Sequence, residues 1–432
     1  MALKQRRGAK GARGEVPPPA SSKAAARGAV QGLGLWGAAV PLAAAAVYLN
    51  TLQGALFFDD ESAVVLNKDV TGGAPLTELL TNDFWGVPMS SWKSHKSYRP
   101  LTVLSFRLNH LLGGLDPWGY HAGNVLLHAA TSFSFLLLCR AWCNPRAGGG
   151  VWGDEGEELT LKWVIIPNVA AMLFALHPVH VDAVASVVGR AELLCGLLVT
   201  LSLLAWHRGR AAAALALAVL AMLSKEMGFA ALPVIIVWEA SSAALAAAPR
   251  RGAHAARALA VAGVAAVVGG LRVWANQGGF PTWGWVDNPT VDQGSRLVRA
   301  MTYMHLHAVN LWLLIFPARL CPDYSWPSVP EVESPFDPRN IFTACAYAAV
   351  LAGTCLAAAP LFRRRPDGSG GSGAAPPPAL MALALGVASF VPSSNIFFPV
   401  GFVVAERVLY TPSMGFCLLA AQGGVAAARA AR

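Results

Sequence analysis

The sequence predicts an all-α, polytopic helical membrane protein. Of its 432 residues, 55% are hydrophobic and only 13% are charged, and the mean hydropathy is +0.47. This composition excludes a water-soluble globular domain and a disordered chain. The apolar residues also occur in long stretches, many of them close to the length of a helix that crosses a ~30 Å hydrocarbon core.

The net charge of +9 is distributed as in a membrane protein and not as in a nucleic-acid-binding protein. Basic residues are concentrated in residues 1–30 and at the ends of apolar segments, where Lys and Arg favour the cytosolic side. We therefore expect a disordered basic cytosolic tail over residues 1–30, membrane lipid as a partner and no nucleic acid. The seven cysteines lie mostly in or beside apolar segments and indicate no disulfide framework.

About ten or eleven membrane segments are expected within one multipass domain over residues 31–428. The first covers residues 33–56 and is expected to be an uncleaved signal anchor. The next cover residues 120–142, 161–176, 193–206, 211–223, 229–246 and 256–273. The remaining segments cover residues 297–316, 341–361, 380–400 and 410–428, and 297–316 is expected to be re-entrant or interfacial. Residues 363–378, rich in Gly, Ser and Pro, are expected to form a flexible cytosolic linker.

The first loop, residues 57–118, is expected to lie on the luminal face because the basic tail holds the N-terminus in the cytosol. Its stretches 75–85 and 101–112 have the spacing of amphipathic helices that lie in the membrane interface. Asp59 and Asp60 directly follow the first apolar segment, at a depth where carboxylates are tolerated. Such a pair is suited to chemistry on a lipid-linked substrate, and it is also what an ordinary solvated loop contains.

Further charged residues gather at segment ends on this same face. Ion pairs that tie helices together are one interpretation, and recognition of a phosphate leaving group by the cations is another. A histidine pair can bind Zn²⁺, but no third ligand has suitable spacing, and a His-Pro step is also typical of a helix cap. The candidates are the cations Arg99, Arg190, Lys225 and Arg407, the histidines His177 and His180, and the carboxylates Glu226 and Glu406.

The sequence contains no motif typical of nucleotide-hydrolysing enzymes, serine hydrolases or metalloproteases. A multipass transporter is an alternative, because charged groups at membrane depth also mark substrate pathways. The concentration of charge on one face and the lack of matching halves argue against it. An inactive membrane scaffold is a second alternative.

Several motifs resemble one known family. They are Phe58-Asp59-Asp60, the run from Ser94 to Thr102, His177-Pro178-Val179-His180, Gly189-Arg190-Ala191-Glu192-Leu193, Ser224-Lys225-Glu226 and residues 401–415. In this order they resemble the membrane half of the transmembrane and tetratricopeptide-repeat-containing protein O-mannosyltransferases. Residues 296–340 resemble that family's signature segment. The tetratricopeptide repeats that would supply acceptor binding do not appear in this sequence.

The resemblance implies a GT-C-type glycosyltransferase in the endoplasmic reticulum membrane, with its N-terminus in the cytosol. Such an enzyme would move mannose from dolichyl phosphate mannose, a polyprenyl-phosphate donor, to Ser or Thr of a luminal or secreted polypeptide. Asp59 and Asp60 would then be catalytic, with Asp60 preferred as the base. Arg99, Arg190, Lys225 and Arg407 would bind the donor phosphate, and His177, His180, Glu226 and Glu406 would orient these groups. No cofactor or metal is required, although an Asp pair beside a phosphate could hold Mg²⁺ or Mn²⁺.

Overall fold

A computed structural model describes residues 35, 37–143, 164–277, 279, 281–321, 324–362 and 375–431. Within these ranges the chain is helical, and its extended pairing is limited to one isolated bridge between Asn82 and Pro88. The all-α prediction is therefore confirmed for the described part of the chain. The predicted tail, residues 1–30, and most of the predicted linker, residues 363–378, lie outside these ranges.

Every predicted apolar segment contains a helix. The first, α1, covers residues 37–46. The others of ten residues or more are α2 Pro100–Gly113, α3 Pro117–Trp142, α4 Ile166–Ala175, α5 Arg190–His207, α6 Ala211–Ser224, α7 Ala231–Leu245, α8 Ala248–Ala275, α9 Arg296–Ile315, α10 Arg339–Phe362, α11 Pro378–Phe390 and α12 Tyr410–Ala430.

Five helices of the described chain are long and apolar enough to cross a membrane, or six if the pair Ile166–Ala175 and Pro178–Ala185, bent by 45°, is one span. This number is smaller than the ten or eleven segments expected from the sequence. One reason is length: α6 has 14 residues, which gives a helix of about 21 Å, short of a ~30 Å core. The other is composition, since α9 and α12 have 20 and 21 residues but are not apolar enough. The chain is a helical membrane protein in which several apolar helices are short.

Local sequence explains where the helices begin and bend. Asp116 accepts a hydrogen bond from the Trp118 N–H at 3.1 Å and caps α3, and Pro117 occupies the first turn, where no N–H is needed. Ser295 caps α9 in the same way. Pro178 follows the end of α4 and cannot continue its hydrogen bonding, so the chain bends there.

Two hydrophobic clusters hold the described chain together. The larger joins α3, α4, α5, α7, α11 and α12. The smaller lies under the first loop, where Val64, Phe84 and Phe106 pack against Tyr120 and Val188. The first loop is therefore folded against the helices, with buried apolar side chains of its own.

Of the two predicted interfacial helices, 101–112 is confirmed as helix α2. The prediction for 75–85 was wrong: only Glu78–Leu80 forms a single 3₁₀ turn. The backbone of this stretch is instead fixed by polar side chains. Asp83 accepts hydrogen bonds from the backbone N–H groups of Trp85, Val87 and His95 and from the Ser94 hydroxyl, and such local bonds compete with helix formation.

Two glycines allow backbones to approach closely beside the polar residues of interest. A Cβ at Gly189 would collide with the backbone of Ala183, and one at Gly228 with the backbone of Ala221. The close contact at Gly189 positions the start of α5. The close contact at Gly228 positions the corner between α6 and α7, which carries Lys225 and Glu226.

Candidate functional site

Asp59 forms an ion pair with Arg407 across the fold. Nη1 and Nη2 of Arg407 each donate to Oδ2 of Asp59 at 3.0 Å. The two side chains are 24% and 31% exposed, so the pair lies at the edge of the interior and is accessible to solvent. Burial alone would lower the pKa of Arg407, but the neighbouring carboxylates of Asp182 and Asp59 outweigh it and raise that pKa, which keeps the guanidinium charged.

Asp60 occupies a different environment from its neighbour. It is 2% exposed, and its carboxylate accepts backbone N–H groups from Val188 at 2.8 Å and from Phe57 and Val187 at 3.4 Å. Burial raises the pKa of the Asp60 carboxyl, and these three donors partly oppose the change. Asp60 was predicted as the preferred base. In the structure its carboxylate is instead engaged in holding the first loop against the residues just before α5.

Glu226 binds two arginines from distant parts of the chain. Nη2 of Arg99 lies 3.0 Å from one carboxylate oxygen, and Nη2 of Arg272 lies 2.7 Å from the other. Nη1 of Arg272 also donates to the Tyr98 carbonyl at 2.7 Å. This arrangement joins the first loop, the corner before α7 and the end of α8.

Lys225 connects the two ion-pair groups. Its Nζ is paired with Oε1 of Glu192, and both side chains are buried. Lys225 also lies close enough to Arg99 and Arg407 for the charges to interact. The site thus consists of three ion-pair groups whose charges interact: Asp59 with Arg407, Glu192 with Lys225, and Glu226 with Arg99 and Arg272. We call these seven residues the polar cluster.

Arg190 lies outside the polar cluster and is committed to structural contacts. Its guanidinium donates to the Tyr120 carbonyl at 2.8 Å, to Oδ1 of Asn124 at 3.0 Å and to the Ser105 carbonyl at 3.2 Å, and it also bonds to Asn109. It stacks over the ring of Phe106 at 4.8 Å. A phosphate could engage this side chain only by displacing several of these contacts.

The two histidines lie in buried protein contacts. His177 accepts the Val179 N–H at Nδ1, so its Nε2 carries the proton and donates to the Leu314 carbonyl at 3.0 Å. Nε2 of His180 lies 2.8 Å from the Ser413 hydroxyl, and its ring packs against Phe174. No group of three or more His, Cys, Asp or Glu side chains with metal-binding geometry occurs in the described ranges.

Glu406 precedes Arg407 and is 2% exposed. Its Oε1 accepts the Cys321 N–H at 2.6 Å and the Tyr324 hydroxyl at 2.7 Å. Burial raises the pKa of Glu406, while these two donors act in the opposite direction. Glu406 therefore holds the segment that follows α9 against the start of α12.

The structure adds three charged residues that the sequence did not single out as candidates. Glu192 and Arg272 belong to the polar cluster, and Asp182 lies close to Arg407. Oε2 of Glu192 and Oδ2 of Asp182 are buried without a hydrogen-bond partner in the described structure, which is uncommon for carboxylate oxygens. Arg272 carried a usable signal, since an arginine within an apolar span needs a polar partner.

The polar cluster has the groups needed for transfer to a hydroxyl from a phosphate. Asp59 offers a carboxylate accessible to solvent, and Arg99, Lys225 and Arg407 are the cations of the same cluster. A carboxylate can accept a hydroxyl proton while cations stabilise charge that develops on a phosphate.

The comparisons with known proteins point to one family. A family model described as "Protein O-mannosyl-transferase TMTC, DUF1736" matches residues 277–351, a range that contains the signature segment predicted at 296–340. Protein O-mannosyl-transferase TMTC3 of Mus musculus is 37% identical over 407 residues, which are 88% of this chain and 41% of that protein. Protein O-mannosyl-transferase Tmtc3 of Drosophila melanogaster is 34% identical, over 87% of this chain and 44% of its own length.

A third relative, Protein O-mannosyl-transferase TMTC1 of Homo sapiens, is 34% identical over 91% of this chain and 46% of its own length. No solved structure matches this chain significantly. The chain spans about two fifths to one half of the length of the curated relatives that it matches. The comparisons confirm, over most of this chain, the resemblance to the transmembrane and tetratricopeptide-repeat-containing protein O-mannosyltransferases.

Proposed function

We propose that this chain carries the membrane part of a protein O-mannosyltransferase with a GT-C-type fold. It would transfer mannose from dolichyl phosphate mannose to a Ser or Thr hydroxyl of a polypeptide. The observation that carries the proposal is the Asp59–Arg407 pair, which places an accessible carboxylate beside a partly exposed guanidinium and near the buried ammonium of Lys225. The names of the relatives, protein O-mannosyl-transferases, support the same reaction class.

In this mechanism the acceptor hydroxyl oxygen attacks C1 of mannose, and the bond between C1 and the phosphate oxygen breaks. The bonding electrons leave with dolichyl phosphate, and the hydroxyl proton passes to Asp59. We assign the base to Asp59 because its side chain is accessible, whereas Asp60 is enclosed and bonded to three backbone N–H groups. Asp60 becomes a positioning residue.

Arg99, Lys225 and Arg407 are the phosphate-side groups of this proposal. Arg99 engages Glu226 through Nε and Nη2, so an incoming phosphate can approach its remaining N–H groups without breaking that pair. Arg190 is reassigned to a structural role, since its donors are already used by α2 and α3. No step requires a metal, and addition of Mg²⁺, Mn²⁺ or a chelator would test for one.

We further propose that the first loop faces the lumen of the endoplasmic reticulum, with the N-terminus in the cytosol. Dolichyl phosphate mannose would then reach Asp59 from the luminal leaflet. The basic residues within positions 1–30 support this orientation.

The test is transfer of labelled mannose by the purified protein in a lipid bilayer. Dolichyl phosphate mannose is the donor and a Ser/Thr-containing polypeptide is the acceptor, with and without a repeat domain from a longer relative fused after Arg432. Transfer that disappears in Asp59→Asn supports the proposal. Absence of transfer in both forms refutes it for this chain. Donor-independent flux of sugar across proteoliposomes would favour a transporter, and biological rescue by Asp59→Asn would favour a scaffold.

A further inference from the structure

The segment that follows α9 lies beside the polar cluster, because it contacts Glu406, the residue that precedes Arg407. Together with Leu314 and Ile315 at the end of α9, it comprises residues 314–321 and 324 of the described chain, all within the range matched by the family model. At one end, the Leu314 carbonyl accepts the proton on Nε2 of His177 at 3.0 Å. At the other, the Cys321 N–H and the Tyr324 hydroxyl both donate to Oε1 of Glu406. The segment is therefore fixed at two points that flank the same region.

Glu406 and Arg407 are consecutive residues of the short 3₁₀ helix Glu406–Leu409 that leads into α12. Their side chains bind two different parts of the chain. Glu406 is bound by the segment after α9, whereas Arg407 binds Asp59 of the first loop. The backbone of Arg407 also bonds to Asp182, so the turn has little freedom to move independently of its neighbours.

The hydrogen bond between Tyr324 and Glu406 is stabilised by burial and by the protonation state of the phenol. Glu406 is almost fully buried, so its carboxylate depends on these two donors for hydrogen bonding. Burial raises the pKa of the Tyr324 hydroxyl, and the adjacent Glu406 raises it further. The phenol consequently keeps its proton over the physiological range and continues to donate it.

We propose that Tyr324 is a positioning residue that orients Arg407, and through it Asp59, by holding Glu406. This assigns a role to residues 314–321 and 324, which fix the turn that brings the Arg407 guanidinium to Asp59. The effect on catalysis rests on the function proposed above, whereas the effect on Arg407 itself does not.

The first test measures Arg407 directly. Purified protein in lipid is treated with an arginine-selective dicarbonyl reagent, and the rate of modification at Arg407 is followed by peptide mass spectrometry. Tyr324→Phe removes one hydroxyl and keeps the ring, so Arg407 should react about 3- to 10-fold faster, as expected for the loss of one net hydrogen bond. Glu406→Gln keeps Oε1 as an acceptor and should react at nearly the parent rate, whereas Glu406→Ala should resemble Tyr324→Phe.

Tyr347→Phe is the matched control, because it deletes a phenol hydroxyl that bonds to Nδ1 of His307 at 2.6 Å and does not contact Glu406. It should leave the labelling of Arg407 unchanged. A rate in Tyr324→Phe within about 1.5-fold of the parent, less than one net hydrogen bond would produce, would overturn the proposal. So would an equal increase in Tyr347→Phe. If Tyr324→Phe does not fold, the labelling rates of Arg407 in Glu406→Ala and Glu406→Gln are compared instead. Equal rates in these two variants would overturn the proposal.

The second test uses mannosyl transfer. Tyr324→Phe should lower kcat about 3- to 10-fold and leave the acceptor KM unchanged, because the hydroxyl acts on orientation and does not touch the acceptor. A changed acceptor KM with unchanged kcat would contradict the positioning role. If Arg407 labelling responds as expected but the parent transfers no mannose, the positioning of Arg407 stands and the proposed function fails.

Discussion

The pair Asp59–Arg407 permits a separation of catalytic and stabilising roles. Asp59→Asn removes one negative charge and keeps the shape of the side chain, and Arg407 retains Asp182 as a charged neighbour. Arg407→Ala instead leaves both Asp59 and Asp182 without this cation. We therefore expect the larger loss of stability in Arg407→Ala and the larger loss of chemistry in Asp59→Asn.

The magnitudes follow from the geometry. Charged hydrogen bonds contribute about 1.5–3 kcal/mol, and the partial exposure of this pair, 24% and 31%, favours the lower end of that range for Asp59→Asn. Arg407→Ala should cost about 3 kcal/mol, because it leaves carboxylates partly buried and uncompensated. As the general base, Asp59 should contribute about 10²- to 10⁴-fold to kcat.

The assay combines thermal unfolding of the protein in lipid nanodiscs, followed by tryptophan fluorescence, with single-turnover mannosyl transfer. Asp337→Asn is the control: Asp337 pairs with Arg339 at 2.7 Å, so the same substitution removes a comparable ion pair away from the polar cluster. It should leave transfer unchanged. Transfer by Asp59→Asn within about threefold of the parent would refute the assignment of the base, since general-base catalysis contributes far more.

Three further predictions concern the neighbouring residues. Arg190→Lys should lower the unfolding temperature clearly while leaving the donor KM unchanged, since lysine cannot reproduce four contacts and a stacked ring; a raised donor KM at unchanged stability would contradict this structural role. Arg99→Gln should raise the donor KM about tenfold with a smaller change in kcat, and an unchanged donor titration would exclude Arg99 from phosphate binding. Because the pKa of Asp60 is raised in the folded state, its protonated form stabilises the fold below the ordinary carboxyl pKa, and this stabilisation is lost as pH rises through the raised value. Asp60→Asn should flatten the dependence of unfolding temperature on pH in the range just above the ordinary carboxyl pKa, and a slope equal to that of the parent would disprove this source of pH dependence.

The sequence predicted the helices well because their signals are local. Long apolar stretches and capping residues such as Asp116 and Ser295 are read directly from the chain, and each predicted apolar segment contains a helix. The motifs around Asp59, Lys225 and residues 401–415 also sufficed to predict the family. Interfacial helix formation at 75–85 was predicted wrongly because Asp83 binds the local backbone, and periodicity does not reveal such bonds.

Only the tertiary structure determined which partner each charged side chain binds. Asp59 and Asp60 are adjacent in the sequence, yet one faces Arg407, 348 residues away, and the other is enclosed by the backbone of residues 187 and 188. Arg190 and Arg99 carry the same charge in the sequence. In the structure the guanidinium of Arg190 donates its hydrogen bonds to α2 and α3, whereas Arg99 belongs to the polar cluster. The reason is physical: burial and charged contacts depend on distances between remote segments, and these distances are fixed only when the helices pack.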